Sequence, residues 1–229
     1  MRRRHGTKCR MSSKAAKSMF GGLLVLTGVG TAQAEGPAVT FTTAAYESVA
    51  NEKAVVLISV NVNRRWRCGQ FENAQLQALG FDRAGAEKAA SDKADLVIED
   101  GALPARKGFV DLALIVDPGE YLLSSYRIKA ARSVSEVGYF AGERATLVAD
   151  GKSKAGTFSA RAGEVVYVGH FSLDCAEAPI PWRYYLADKD DYAKYLKMVA
   201  REYPGFPTEQ AKFRLFETTT MGNPYQPSE

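Results

Sequence analysis

The stretch Phe109 to Ile128, FVDLALIVDPGEYLLSSYRI, decides how the rest of the chain is read. Two apolar runs, Phe109 to Val116 and Tyr121 to Ile128, flank Asp117-Pro118-Gly119-Glu120. Both are rich in residues that suit a pleated, half-buried surface. Pro118 presets φ at the first central position of a turn and Gly119 tolerates positive φ at the second. The spacing therefore predicts a type II turn joining two antiparallel strands. A second segment has the same form: Gly156 to Ala160, then Arg161-Ala162-Gly163-Glu164, then Val165 to Phe171 (VVYVGHF).

Working outward, strand signals continue on the N-terminal side. Ala54 to Val62 (AVVLISVNV) opens as an unbroken apolar run and closes in alternation. Asn73 to Phe81 alternates less cleanly, and Leu96 to Ile98 is a short strand stopped by Glu99-Asp100-Gly101. Arg83 to Asp92 has no wide apolar stripe and reads as a short surface helix or a loop. On the C-terminal side, Pro179 and Pro181 interrupt the strands. Asp188 to Tyr203 is then a helix: Asp188 or Asp190 caps it, Tyr192, Tyr195, Leu196 and Val199 recur at helical spacing, and Pro204-Gly205 ends it. Phe213 to Thr219 reads as a last strand and residues 221–229 as an irregular tail. With no β-α-β rhythm, the expectation is a mainly β fold: one domain over residues 35–220, an antiparallel β-sandwich of about seven strands with one C-terminal α-helix covering an edge or face.

The run from Val110 to Tyr121, with Asp117-Pro118-Gly119-Glu120-Tyr121 at its end, and the run from Ala162 to Gly169 (AGEVVYVG) resemble hairpins of exported bacterial β-sandwich domains. Those domains are similar in outline to transthyretin-like, or prealbumin-like, domains of cell-envelope proteins. The resemblance spans Ala54 to Leu173. It implies a sandwich fold and an envelope address and carries no catalytic residues with it; Trp182 to Thr219 lies outside it.

The chain's formal charge of +4 is misleading, because residues 1–34 hold seven basic residues and no acidic one. Arg2, Arg3, Arg4, Lys8, Arg10, Lys14 and Lys17 precede the uncharged run Met19 to Gly30, and Ala32 and Ala34 supply small residues before Glu35. This is the pattern of a cleavable signal peptide, read from Met1 or from Met11, and the apolar run is too short to span a bilayer. Cleavage before Glu35 leaves 23 basic against 26 acidic residues, which disfavours nucleic acid as a partner. The expected location is periplasmic or secreted. Cys68 and Cys175 would then be the remaining cysteines, and an oxidising compartment favours their pairing over two buried free thiols.

Chemistry is sparse. His170 is the single histidine beyond residue 34, which leaves no two-histidine metal site, and no G-x-S-x-G elbow accompanies it. It reads as a strand-end residue touching Asp174 or solvent. Gly151-Lys152-Ser153 resembles the end of a P-loop, but Thr146 stands where the first glycine is required. A calcium loop starting at Asp188 would need glycine where Ala193 stands. No motif asks for a cofactor or a metal. Two patches remain: Arg64, Arg65 and Arg67 around Trp66, and Trp182, Arg183, Tyr184 and Tyr185. A Cys68–Cys175 bridge would draw them into one aromatic-basic surface suited to anionic groups of an envelope glycolipid, a cell-wall polymer or an envelope protein. The bland alternative buries both tryptophans in the core and leaves the arginines solvated. The expected function is a non-enzymatic binding or structural module. The alternative is a secreted hydrolase that works with carboxylates.

Overall fold

A computed structural model describes residues 38–103 and 108–226. The leader expected over residues 1–34 lies outside the described residues. Fourteen strands run in chain order: Val39–Thr40 (β1), Ala54–Val60 (β2), Arg65–Cys68 (β3), Phe71–Arg83 (β4), Leu96–Glu99 (β5), Val110–Val116 (β6), Gly119–Ala131 (β7), Val137–Gly142 (β8), Val148–Ala149 (β9), Lys152–Ser153 (β10), Thr157–Ala160 (β11), Val165–Asp174 (β12), Ile180–Tyr184 (β13) and Ala211–Phe213 (β14). The helices are Thr43–Glu47 (α1), Arg144–Leu147 (α2) and Lys189–Glu202 (α3). The fold is mainly β, as expected. The strand count exceeds seven because short edge strands and the β9–β10 ribbon carry too few residues to show a period.

Two six-stranded sheets form the body. The first has the order β1-β6-β2-β12-β13, with β14 also on β12. The second is built on the long pair β4 and β7, flanked by β3 and β5 on one side and by β8 and β11 on the other. Ala54, Val56, Ile58 and Val60 of β2 point at the second sheet, into a core shared with Phe81, Leu123, Phe158 and Phe171. Val55 and Leu57 point the other way, into a second core with Tyr167, Tyr195 and Val199 beneath α3. All seven residues of β2 are buried, which is why six of them are apolar and Ser59 is the single polar one. Asp188 caps α3 by accepting from the Asp190 N–H at 2.6 Å, and the helix lies where the periodicity put it.

Two expectations are corrected. The first concerns the turns: β6 belongs to the first sheet and β7 to the second, so Asp117-Pro118 is a crossing between sheets and not a hairpin. Gly119 has φ 159°, far from the roughly +80° of a type II turn, and is already the first residue of β7. The Arg161-to-Glu164 turn is likewise a crossing, from β11 to β12. The two crossings lie side by side, since Gly119 pairs with Ala160. Lys53 joins both: its ammonium pairs with Asp117 at 2.5 Å and its carbonyl accepts from the Gly163 N–H at 2.8 Å. The first sheet is consequently not purely antiparallel, because β2 and β12 run parallel, as do β12 and β14. Burial on both faces is the setting in which parallel pairs are found.

The second correction concerns the C-terminal strand, which covers Ala211–Phe213 and not Phe213 to Thr219. The following segment leaves the first sheet and pairs Glu217 with Thr157 of the second, so fully buried Phe216 plugs the gap between them. The tail is the segment expected to be irregular. Residues 221–226 have no regular structure beyond a Gly222–Arg183 bridge, yet they are fastened: Arg183 N–H donates to the Met221 carbonyl at 2.7 Å, and Tyr185 Oη donates to the Pro224 carbonyl at 3.0 Å. Of the segment from Arg83 to Asp92, Arg83 closes β4 and the rest is turn and loop. Among the described residues no helix is long and apolar enough to cross a membrane.

Candidate functional site

The sequence YVGH in the middle of β12 sets the site. A regular strand would send Tyr167 and His170, three residues apart, to opposite faces. Register along β2 jumps between Tyr167 and Gly169, and Gly169 takes φ 120°. This bulge absorbs one residue, so Tyr167 and His170 share the face that α3 covers. Only glycine fits: a Cβ there would sit 3.0 Å from Arg183 Cδ and from the Tyr184 carbonyl oxygen.

His170 is thereby the centre of a row crossing four strands: Asp111 on β6, Ser59 on β2, His170 on β12 and Tyr184 on β13. Ser59 Oγ donates to Asp111 Oδ1 at 2.6 Å and lies 3.4 Å from Tyr195 Oη. His170 Nδ1 shares a 2.5 Å hydrogen bond with Tyr167 Oη, and Phe109 meets the imidazole edge-on at 4.9 Å. Burial pushes the imidazole pKa down to about 4, so the ring is neutral at pH 7. Burial pushes the Tyr167 and Tyr195 phenols up, and Tyr192 up to about 12, so all three stay protonated. This is not a nucleophilic triad. Serine, not histidine, stands next to the carboxylate, and its proton points at that carboxylate.

The row opens at one end into a pocket of about 420 Å³ lined by Asn61, Arg65, Phe109, His170, Ser172, Tyr184, Tyr185 and Leu186. The two sequence patches meet here in part. Cys68 and Cys175 are disulfide-bonded with Cα atoms 4.7 Å apart, tying the end of β3 to the end of β12. Arg65 Nη1 and Tyr184 Oη both donate to the Leu173 carbonyl, at 2.8 and 3.1 Å. Arg65, Tyr184 and Tyr185 therefore line one cavity. Arg64, Trp66 and Arg67 do not; they are exposed beside it, with the Arg64 guanidinium 5.6 Å over the Trp66 ring. Trp66 is 59% exposed, which disposes of the core-plug reading for that residue, while Trp182 is half-buried opposite Ser172. Arg183 points to the other face of β13 and is buried.

His170 is the main residue that sequence reasoning undervalued. It is inside β12, not at its end, and its partner is Tyr167, not Asp174. The available signal was the Gly169-His170 pair inside a strand, since an interior glycine marks a bulge. Ser59, Asp111, Asn61 and Phe109 carried no separate signal, because only cross-strand register gathers them. Elsewhere, the least exposed carboxylates are held by cations: Asp82 by Arg144, Glu164 by Arg214 and Lys212, and Asp117 by Lys53 and Arg83. Two hydrogen bonds from Arg214 and one from Lys212 draw Glu164 down to about 2, the opposite of what a general acid needs. No protein-family model, curated protein or solved structure matches the chain.

Proposed function

We propose that the chain is an exported envelope protein, a β-sandwich binding module whose pocket beside His170 takes an anionic saccharide group of an envelope glycolipid or cell-wall polymer. The observation that carries this reading is the convergence of Arg65, Tyr184 and Tyr185 with His170 on one cavity. Phe109, Tyr184 and Tyr185 offer apolar ring faces and edges for a sugar ring. Asn61, Ser172 and neutral His170 offer hydrogen bonds without charge. Arg65 supplies the one guanidinium among the lining residues, and a carboxylate or phosphate is its natural partner. Export rests on the leader pattern, and the resemblance to transthyretin-like domains rests on the runs Val110 to Tyr121 and Ala162 to Gly169 alone, whose turns cross between sheets. The hydrolase alternative gains nothing from the ion-paired carboxylates.

The test is binding of the mature protein to vesicles with and without anionic glycolipid, comparing wild type with Arg65→Ser combined with Tyr184→Ala. The reading expects about a tenfold or greater loss in the variant, with circular dichroism unchanged. Equal binding by the variant would remove it.

A further inference from the structure

On the opposite face of β13 from the His170 pocket, Arg183 is only 3% exposed, and its Nε and Nη1 have no hydrogen-bond partner. Nη2 alone is satisfied, donating to the Asn223 carbonyl at 2.6 Å. The guanidinium lies 5.0 Å from the Tyr185 ring centroid, and no ion pair among the described residues includes it. Buried charges are ordinarily paired, and an arginine with three idle N–H donors is a costly thing for a fold to keep. The fold nonetheless makes room for it. Gly169 leaves space where a Cβ would press 3.0 Å from Arg183 Cγ and Cδ, and Gly222 where one would press 3.2 Å from Nε. Burial without a counter-charge also lowers the affinity of the guanidinium for its own proton.

Arg183 borders a cleft of about 460 Å³ between Ser153–Thr157 and the C-terminal segment Leu215–Thr219 with Pro224 and Tyr225. Lys154 stands at its exposed rim with no ion pair among the described residues, and Glu217 is the one carboxylate in the lining. We infer that this cleft is an anion subsite, in which Lys154 attracts a carboxylate or phosphate group of a small ligand at the mouth and Nε or Nη1 of Arg183, covered in the free protein, donates to it once it is bound. The guanidinium edges, not a helix end or a surface charge, supply the recognition. The subsite lies across β13 from the His170 pocket and shares the Tyr185 ring with it.

The experiment follows the Arg183 Nε–Hε resonance of the mature protein by NMR while sodium phosphate, or sodium succinate, is titrated at constant ionic strength against a sodium chloride control. The expected result is a saturable shift of that resonance with at least one of the two anions and none with chloride; which anion acts tells phosphate from carboxylate. Lys154→Ser should weaken the midpoint by several-fold, and Arg183→Met should abolish the accompanying rise in thermal midpoint. An unmoved Arg183 resonance at saturating phosphate and succinate overturns the inference. So does a folded Arg183→Met protein that keeps the same anion-dependent stabilisation. If Arg183→Met does not fold, the wild-type resonance decides alone.

Discussion

Gly169 connects backbone geometry to both candidate sites. Its φ of 120° creates the bulge that turns His170 toward Tyr167, and its missing side chain leaves room for the Arg183 stem. Gly169→Ala should therefore cost about 2–3 kcal/mol, more than a usual glycine replacement, because backbone strain and a steric clash add. Urea unfolding measures it, and a loss under about 0.5 kcal/mol would show that the bulge tolerates a Cβ. At this scale the sequence was only partly legible. A glycine before a histidine was visible, but a bulge shifts side-chain phase by one residue, and nothing in VVYVGHF says on which strand face the shifted residue lands. The arginines show the same limit. Arg64, Arg65 and Arg67 look alike in sequence, yet only Arg65 reaches the Leu173 carbonyl and the pocket.

Elements were easier to read than their pairing. Ala54–Val60, Val110–Val116 and α3 follow from apolar runs broken by a single polar residue, Ser59 or Asp111, or from clear helical spacing, since burial on both faces or along one stripe imposes those patterns. Pairing was hidden because a short Pro-Gly turn can close a hairpin or pass between sheets. What separates the two is the partner each strand finds. β7 lies against β4 along 13-residue strands, and β6 lies against β2 through all seven residues of each. The disulfide spans the same division, joining the end of β3 in the second sheet to the residue after β12 in the first, 107 positions apart. Replacing Cys68 and Cys175 by Ser should cost up to about 4–5 kcal/mol, set by the long loop released, and should loosen the Arg65–Tyr184 wall of the pocket. Equilibrium unfolding of the variant without reductant checks the first; reduced vesicle binding checks the second.

For the whole molecule, acid is the informative variable. The His170 pKa falls from 6.5 to about 4 on folding, so between those values the unfolded chain holds a proton the native state lacks. Its contribution is complete above about pH 6.5 and is lost as pH falls toward 4, on the order of 3 kcal/mol in all. Glu164 adds a lower limb: its pKa drops from 4.5 to about 2 through Arg214 and Lys212, so that stabilisation is complete above 4.5 and lost as pH falls through 2. Unfolding midpoints at pH 7, 5.5 and 4.5 should decline for wild type and stay nearly level over that range in His170→Phe. A wild-type midpoint constant from pH 7 to 4 would mean that His170 is protonated as easily in the native state as in the unfolded chain.

The proposed binding function resides in the pocket that Arg65 and Tyr185 line. It is tested by a ¹H–¹³C spectrum of the aromatic side chains of the protein during titration with a short uronic-acid oligosaccharide. The expected outcome is saturable shifts confined to His170, Phe109, Tyr184 and Tyr185, weakened about tenfold by Arg65→Ser. Shifts absent from those rings, or unchanged in strength when Arg65 is removed, would contradict the site.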